Sequence, residues 1–320
     1  MASAASVRVL GQSISFKIAM QLTPDLLLGS LAGLLSAALY AFSVVVYRSR
    51  DTDIRPIAIS SYKMWVSLLF MSVIVILPFG ASLSTLTMMS VILLSLSVIV
   101  GAVIGDTVYL MSQEIIGVSY AFPLAMSYPI LTNVFTSIFL NEQLILGRFT
   151  GAIVTVVGTI ILSREQGSQA KVSMRNKRPN FVGLILAFLT SLFYAGSTTI
   201  LQVGVTDVDP ISGNFIRVLA GSVAFVPIFT WAKRGGMEIP TKGVAKAIAF
   251  AGIFGMGISS LFYVTAVKLV GAGVTSVLAS TAPLFAVPAS VFCLKENLTR
   301  LGVLGVLATI LGVILVILSG

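Results

Sequence analysis

Leu35-Ser36-Ala37-Ala38-Leu39-Tyr40-Ala41-Phe42-Ser43 returns as Leu189-Thr190-Ser191-Leu192-Phe193-Tyr194-Ala195-Gly196-Ser197, displaced by 154 residues. The same displacement carries Pro56 and Lys63 to Pro210 and Arg217, and Gly101, Tyr109 and Gly117 to Gly255, Tyr263 and Gly271. It carries Pro129, Glu142, Leu144, Gly151 and Gly158 to Pro283, Glu296, Leu298, Gly305 and Gly312. No gap is needed, so the chain reads as two copies of one unit.

The chain is 57% hydrophobic and 10% charged, with mean hydropathy +1.05. Twenty basic and 11 acidic residues in 320 cannot furnish a soluble surface, so the expected class is an all-α integral membrane protein. An apolar run of about 20 residues crosses a bilayer as a helix. Ten such runs can be drawn, at 24–47, 56–79, 88–111, 117–140, 145–163, 180–203, 211–232, 243–268, 271–294 and 300–319. They divide the chain into an N-terminal tail (1–23), a first five-helix repeat (24–163), a basic linker (164–179) and a second repeat (180–320). Five is odd, so the second copy enters the membrane upside down. Inverted repeats of this kind give secondary transporters their two opposite-facing states.

The net charge of +9 falls in short loops and reads as an orientation signal rather than as nucleic-acid binding. Fourteen cations, five of them in the linker, lie on one side, against four on the side holding both termini. The positive-inside tendency puts the linker in the cytoplasm of a multi-pass cell-membrane protein. With no His and a single Cys, Cys293, no metal site, cofactor or Ser-His dyad is expected. No phosphate-binding loop is present either, which excludes ATP hydrolysis by this chain.

Lys63 and Arg217 lie six or seven residues into their spans, roughly 10 Å below opposite surfaces. Intramembrane cations face a wet cavity or a partner, unless their stems snorkel to the interface. Asp106 lies at the depth of Lys63, and an ion pair is expected between them. The matched residue in the second copy is Ser260, which leaves Arg217 to bind an anionic group, with Asp207, Asp209 and Glu142 as alternative partners. Tyr40, Tyr194, Asn133 and Asn214 are further candidate substrate contacts, since lipid penalises their polar groups. Glu142 and Glu296 sit in turns, where a carboxylate satisfies free N–H groups of the next helix. Pro129 and Pro283 interrupt their spans and predict kinks.

Two stretches carry a family signature: Asn141-Glu142-Gln143-Leu144 through Gly151 and Gly158, and Lys295-Glu296-Asn297-Leu298 through Gly305 and Gly312. They resemble the paired EamA-type repeats of the drug/metabolite transporter superfamily. The resemblance implies ten helices around a central substrate cavity, alternating access, and gating movement in the spans that hold Pro129 and Pro283. It also implies both termini in the cytoplasm, the reverse of the charge bias. The expected function is secondary transport of a small organic metabolite, anionic or zwitterionic, by a monomer or homodimer in the lipid bilayer. An intramembrane lipid-handling enzyme and a channel or scaffold are the alternatives.

Overall fold

The structure is a computed structural model, and it describes residues 23–49, 56–77, 82–169, 180–285 and 300–319. The N-terminal tail, most of the linker, and the stretch holding Glu296 and Cys293 lie outside the described residues. The described residues are helical apart from their connections. α1 is Pro24–Ser49, α2 Pro56–Ile76 and α3 Met88–Ile116. α4 runs in two pieces, Val118–Ala125 and Tyr128–Phe139, and α5 is Leu146–Gln169. α6 is Phe181–Val205 and α7 Pro210–Arg234. The 38-residue run Lys242–Ala279 is about twice what a bilayer needs. It divides at Gly271 into α8 (242–270) and α9 (272–285). α10 is Arg300–Leu318. Within the described residues these helices follow the ten expected spans, with α9 described as far as residue 285, and α5 continues to Gln169, into the stretch expected as linker.

The repeat extends to backbone irregularities that composition does not reveal. Gly117 has φ 78° and ψ 162°, and Gly271 has φ 79° and ψ 167°. Both reverse the chain in a conformation that a Cβ disfavours. A wide π turn occupies Ile99–Gly105 in α3 and recurs as Ile253–Ile258 in α8. α4 breaks at Met126–Ser127, and α9 breaks at the matched Ser280–Thr281. In each break a hydroxyl returns to the helix: Ser127 Oγ donates to the Leu124 carbonyl at 2.7 Å, and Thr281 Oγ1 to that of Leu278 at 2.6 Å. Pro129 and Pro283 follow these breaks, in the first turn of the helix that resumes. A proline costs nothing at that position, because its missing N–H would have had no partner.

Packing makes the inversion visible. α1 lies against α8 and α9, as α6 lies against α3 and α4, while α2 packs on its own counterpart α7 and α5 on α10. The α5–α10 contact is antiparallel and self-complementary. A Cβ added to Gly151 would come within 2.8 Å of the Gly312 carbonyl oxygen, and one added to Gly312 within 2.6 Å of the Gly151 oxygen. Gly158 and Gly305 meet the same way, at 2.8 and 3.1 Å. Lipid offers helices no hydrophobic drive to associate, so backbone contact through small residues supplies the attraction. α2 and α7 are also antiparallel: Met64 packs on Gly221, and the Trp65 indole donates to the Ser222 carbonyl at 3.1 Å.

Filling this seam should be costly. Gly158→Leu is expected to lower stability in detergent by about 1–3 kcal/mol, because backbone on α10 cannot yield as a flexible side chain can. Gly243, with nothing within 4 Å of its would-be Cβ, should tolerate Ala within about 0.5 kcal/mol. Thermal unfolding of the two variants beside the parent checks both.

Candidate functional site

Two half-sites related by the repeat face each other across the middle of the bundle. The first begins with the π turn of α3. Its extra residue rotates the helix beyond it by about 100°, and Asp106 is the first residue past it. Asp106 is thereby aimed between α2 and α6. Lys63 Nζ lies 3.5 Å from Asp106 Oδ2, and the Tyr194 hydroxyl donates to Asp106 Oδ1 at 2.8 Å. The Lys63 and Asp106 side chains remain 16% and 30% exposed, and nearby Tyr40 is 51% exposed. A charged pair inside a span is stable where a partner or water meets it and costly where lipid does.

The second half-site has the same outline and a different charge balance. Arg217 on α7 is only 6% exposed. Its Nε donates to Ser97 Oγ at 3.2 Å and its Nη1 to Ser260 Oγ at 3.3 Å. Ser260 Oγ donates to Asn214 Oδ1 at 2.7 Å, and the Asn214 amide donates to the Gly257 carbonyl at 3.2 Å, inside the second π turn. Among the described residues no carboxylate oxygen lies within 4.0 Å of the guanidinium. Among the described residues its hydrogen-bond partners are the two serine hydroxyls.

Aromatic groups join the halves. Tyr128 and Tyr194 stand edge to face, with centroids 5.7 Å apart, and the Tyr128 hydroxyl donates to the Ser276 carbonyl at 3.2 Å. Tyr263 Oη and Thr198 Oγ1 share a hydrogen bond of 2.8 Å. The sequence reading missed Tyr128, Thr198 and Ser97. Tyr128 matches Ala282 in the second copy, so symmetry gave no signal, although its place beside the recurring Pro129 could have.

The acids named as alternative partners for Arg217 are engaged elsewhere or lie beyond ion-pair distance. Asp209 caps α7 through the Ser212 N–H at 2.9 Å and binds the Ser82 N–H at 3.0 Å. Asp207 makes no ion pair with Arg217 among the described residues. Glu142 accepts from the Gln202 amide, whose oxygen in turn accepts the Ala272 N–H at 2.6 Å. Glu142 was expected to cap the next helix. It acts instead through Gln202 to tie the α4–α5 turn to α6 and to the Gly271 reversal, closing the side of the bundle opposite the linker. Lys268 Nζ adds a bond to the Val208 carbonyl there, at 2.7 Å.

Asn133 and Asn214 hold helices together. Asn133 Nδ2 donates to the Pro129 carbonyl at 2.8 Å and reaches the Gly273 carbonyl at 3.5 Å, between α4 and α9. Asn214 is fully buried and orients Ser260. Among the candidates, Lys63, Asp106, Tyr40 and Tyr194 are gathered in the more exposed first half-site, and Arg217 lies buried in the second. Glu296 falls outside the described residues.

A model of the EamA-like transporter family matches residues 27–164 and 181–318, one match per copy. An uncharacterized transporter of Archaeoglobus fulgidus is 23% identical over 291 residues, covering 90% of this chain and 97% of the relative. A second from the same organism is 30% identical over 132 residues, 41% of this chain and 46% of that protein. The uncharacterized transporter YxxF of Bacillus subtilis is 24% identical over 159 residues, half of this chain and 48% of its own length. A solved crystal structure superposes with a TM-score of 0.72 over 90% of this chain and 96% of its own, at 14% identity, and so shares the fold.

The first half-site predicts a non-additive double mutant. Lys63→Met strands the Asp106 carboxylate in a partly wet site and should cost about 1–2 kcal/mol. Adding Asp106→Asn should recover part of that loss, read as the denaturation midpoint of purified protein in detergent.

Proposed function

Because the chain belongs to the EamA-like transporter family, we propose that this multi-pass membrane protein is a secondary transporter working by alternating access. Its cargo is a small organic metabolite bearing an anionic group, alone or as part of a zwitterion. The single observation that carries the reading is the unequal state of two matched cations. Lys63 is paired with Asp106 and partly exposed, while Arg217 is buried in the half tied shut by Glu142, Gln202 and Ala272. Unequal exposure of two matched sites is what an inverted-repeat carrier has when one side is open. Exchanging the conformations between copies would seal the Lys63 half and open the Arg217 half, moving the opening across the membrane without moving the site.

Each group then has a task. Lys63 and Asp106 balance each other, so the open half stays neutral and can be sealed without burying net charge. Arg217, whose partners among the described residues are neutral serine hydroxyls, is the group to which a carboxylate or phosphate adds most, because those partners do not compensate its charge. The tyrosine hydroxyls between the halves supply neutral donors and acceptors to the polar remainder of the cargo. The reversals at Gly117 and Gly271 and the breaks at Met126–Ser127 and Ser280–Thr281 are where the helices can turn as pieces.

A metabolite panel of carboxylates, phosphates, zwitterions and organic cations, scanned by thermal shift, identifies the cargo, since a ligand of the native state raises the melting point. With that cargo in proteoliposomes, Arg217→Gln should reduce uptake at least tenfold, more than the double Lys63→Gln/Asp106→Asn. Stronger loss in the double variant would reverse the assignment of roles. Cysteine pairs cross-linked on either side in turn should each abolish transport; uptake surviving with both sides locked is channel or scaffold behaviour and sinks the carrier.

A further inference from the structure

We infer that the empty protein reorients electrogenically, with Arg217 as the moving charge, so that membrane voltage selects the side to which the site opens. The inference rests on the alternating-access reading above. It arises from one difference between the copies: the residue matched to Asp106 is Ser260.

With the site open to the linker side, water reaches Lys63 and Asp106. The membrane potential then falls across the sealed half, and Arg217 sits within that half at 6% exposure, with serine hydroxyls for partners. When the opening passes to the other side, Arg217 joins water at that side's potential. One positive charge has then crossed roughly half of the field, moving away from the linker side. The first half-site contributes no opposing charge, because Lys63 and Asp106 are sealed together as a neutral pair. Had the second copy kept an acid at position 260, the exchange would carry no net charge in either half.

The sign follows. A potential negative on the linker side holds the protein in the state described here, and a positive one drives it to the opposite state. A full charge crossing a full membrane potential would change the populations about fiftyfold per 100 mV, so half a charge changes them about sevenfold.

The test uses the full chain on a Cys293→Ser background in proteoliposomes, with potassium gradients and valinomycin setting the voltage. Tyr40→Cys reports opening to the linker side, and Thr198→Cys reports opening to the other. Each is labelled by an impermeant maleimide added from the relevant side. The two labelling rates should change in opposite directions, about sevenfold per 100 mV. Ser260→Asp, which rebuilds the Lys63–Asp106 arrangement around Arg217, should abolish this dependence while both reporters still label. Asp106→Asn, which frees Lys63 to move in the same electrical direction, should steepen it. Reporters that label at opposed rates but ignore voltage in the parent overturn the electrogenic step and leave the carrier standing. Reporters that are accessible from both sides at once overturn the carrier and this inference together.

Discussion

A charge fixed inside hydrocarbon must be paired, wetted or wrapped in dipoles, and this chain does so differently at two related positions. Lys63 is paired with Asp106 and stays partly exposed, and Arg217 is wrapped by Ser97 and Ser260. The helices around each cation are arranged to meet that demand. The π turns in α3 and α8 place Asp106 and Ser260 at the right rotation, and Asn214 fixes Ser260 against a carbonyl that the second turn offers. α6, packed against α3, α4 and α8, brings Tyr194 and Thr198 between the two halves.

The scaffold is divided between parts that stay together and parts that can turn. α5 and α10 meet backbone to backbone through four glycines, and such a seam cannot slide without losing contact along its length. α3, α4, α8 and α9 instead carry reversals and breaks whose exposed backbone groups are satisfied locally, by Ser127 and Thr281 and by the Gln202 bond to Ala272. A helix broken in this way can change angle at small energetic cost, because no buried donor is left unpaired by the movement. The rigid pair and the broken spans are the static and mobile components that the proposed exchange of conformations requires.

Much of this was legible in the sequence, for a physical reason. A bilayer imposes span length and hydropathy on every helix, so ten spans could be counted, and the constant displacement of 154 residues fixed the relation between the halves. Charges are rare enough in a span that Lys63, Asp106 and Arg217 stood out individually. Contacts between distant side chains were not legible. Nothing in the local sequence of Glu142 announces Gln202, 60 residues away, and the reading assigned that carboxylate to the nearest helix end. Asn133 and Asn214 were read as substrate contacts because lipid excludes them, yet the same exclusion is met by carbonyls on neighbouring helices. The π turns escaped as well, since a widened turn keeps the helical spacing of apolar residues on either side.

In the proposed cycle the two copies hold opposite conformations and trade them. Spin labels placed in pairs at both ends of the bundle measure this directly by pulsed dipolar spectroscopy: Leu86 with Thr206 on the side opposite the linker, and Ser49 with Gly235 on the linker side. Adding the cargo found by thermal shift should lengthen one distance while shortening the other, each with two populations whose weights change in opposition. Distances that lengthen together, or a single population on each side that the cargo leaves unmoved, would contradict the account.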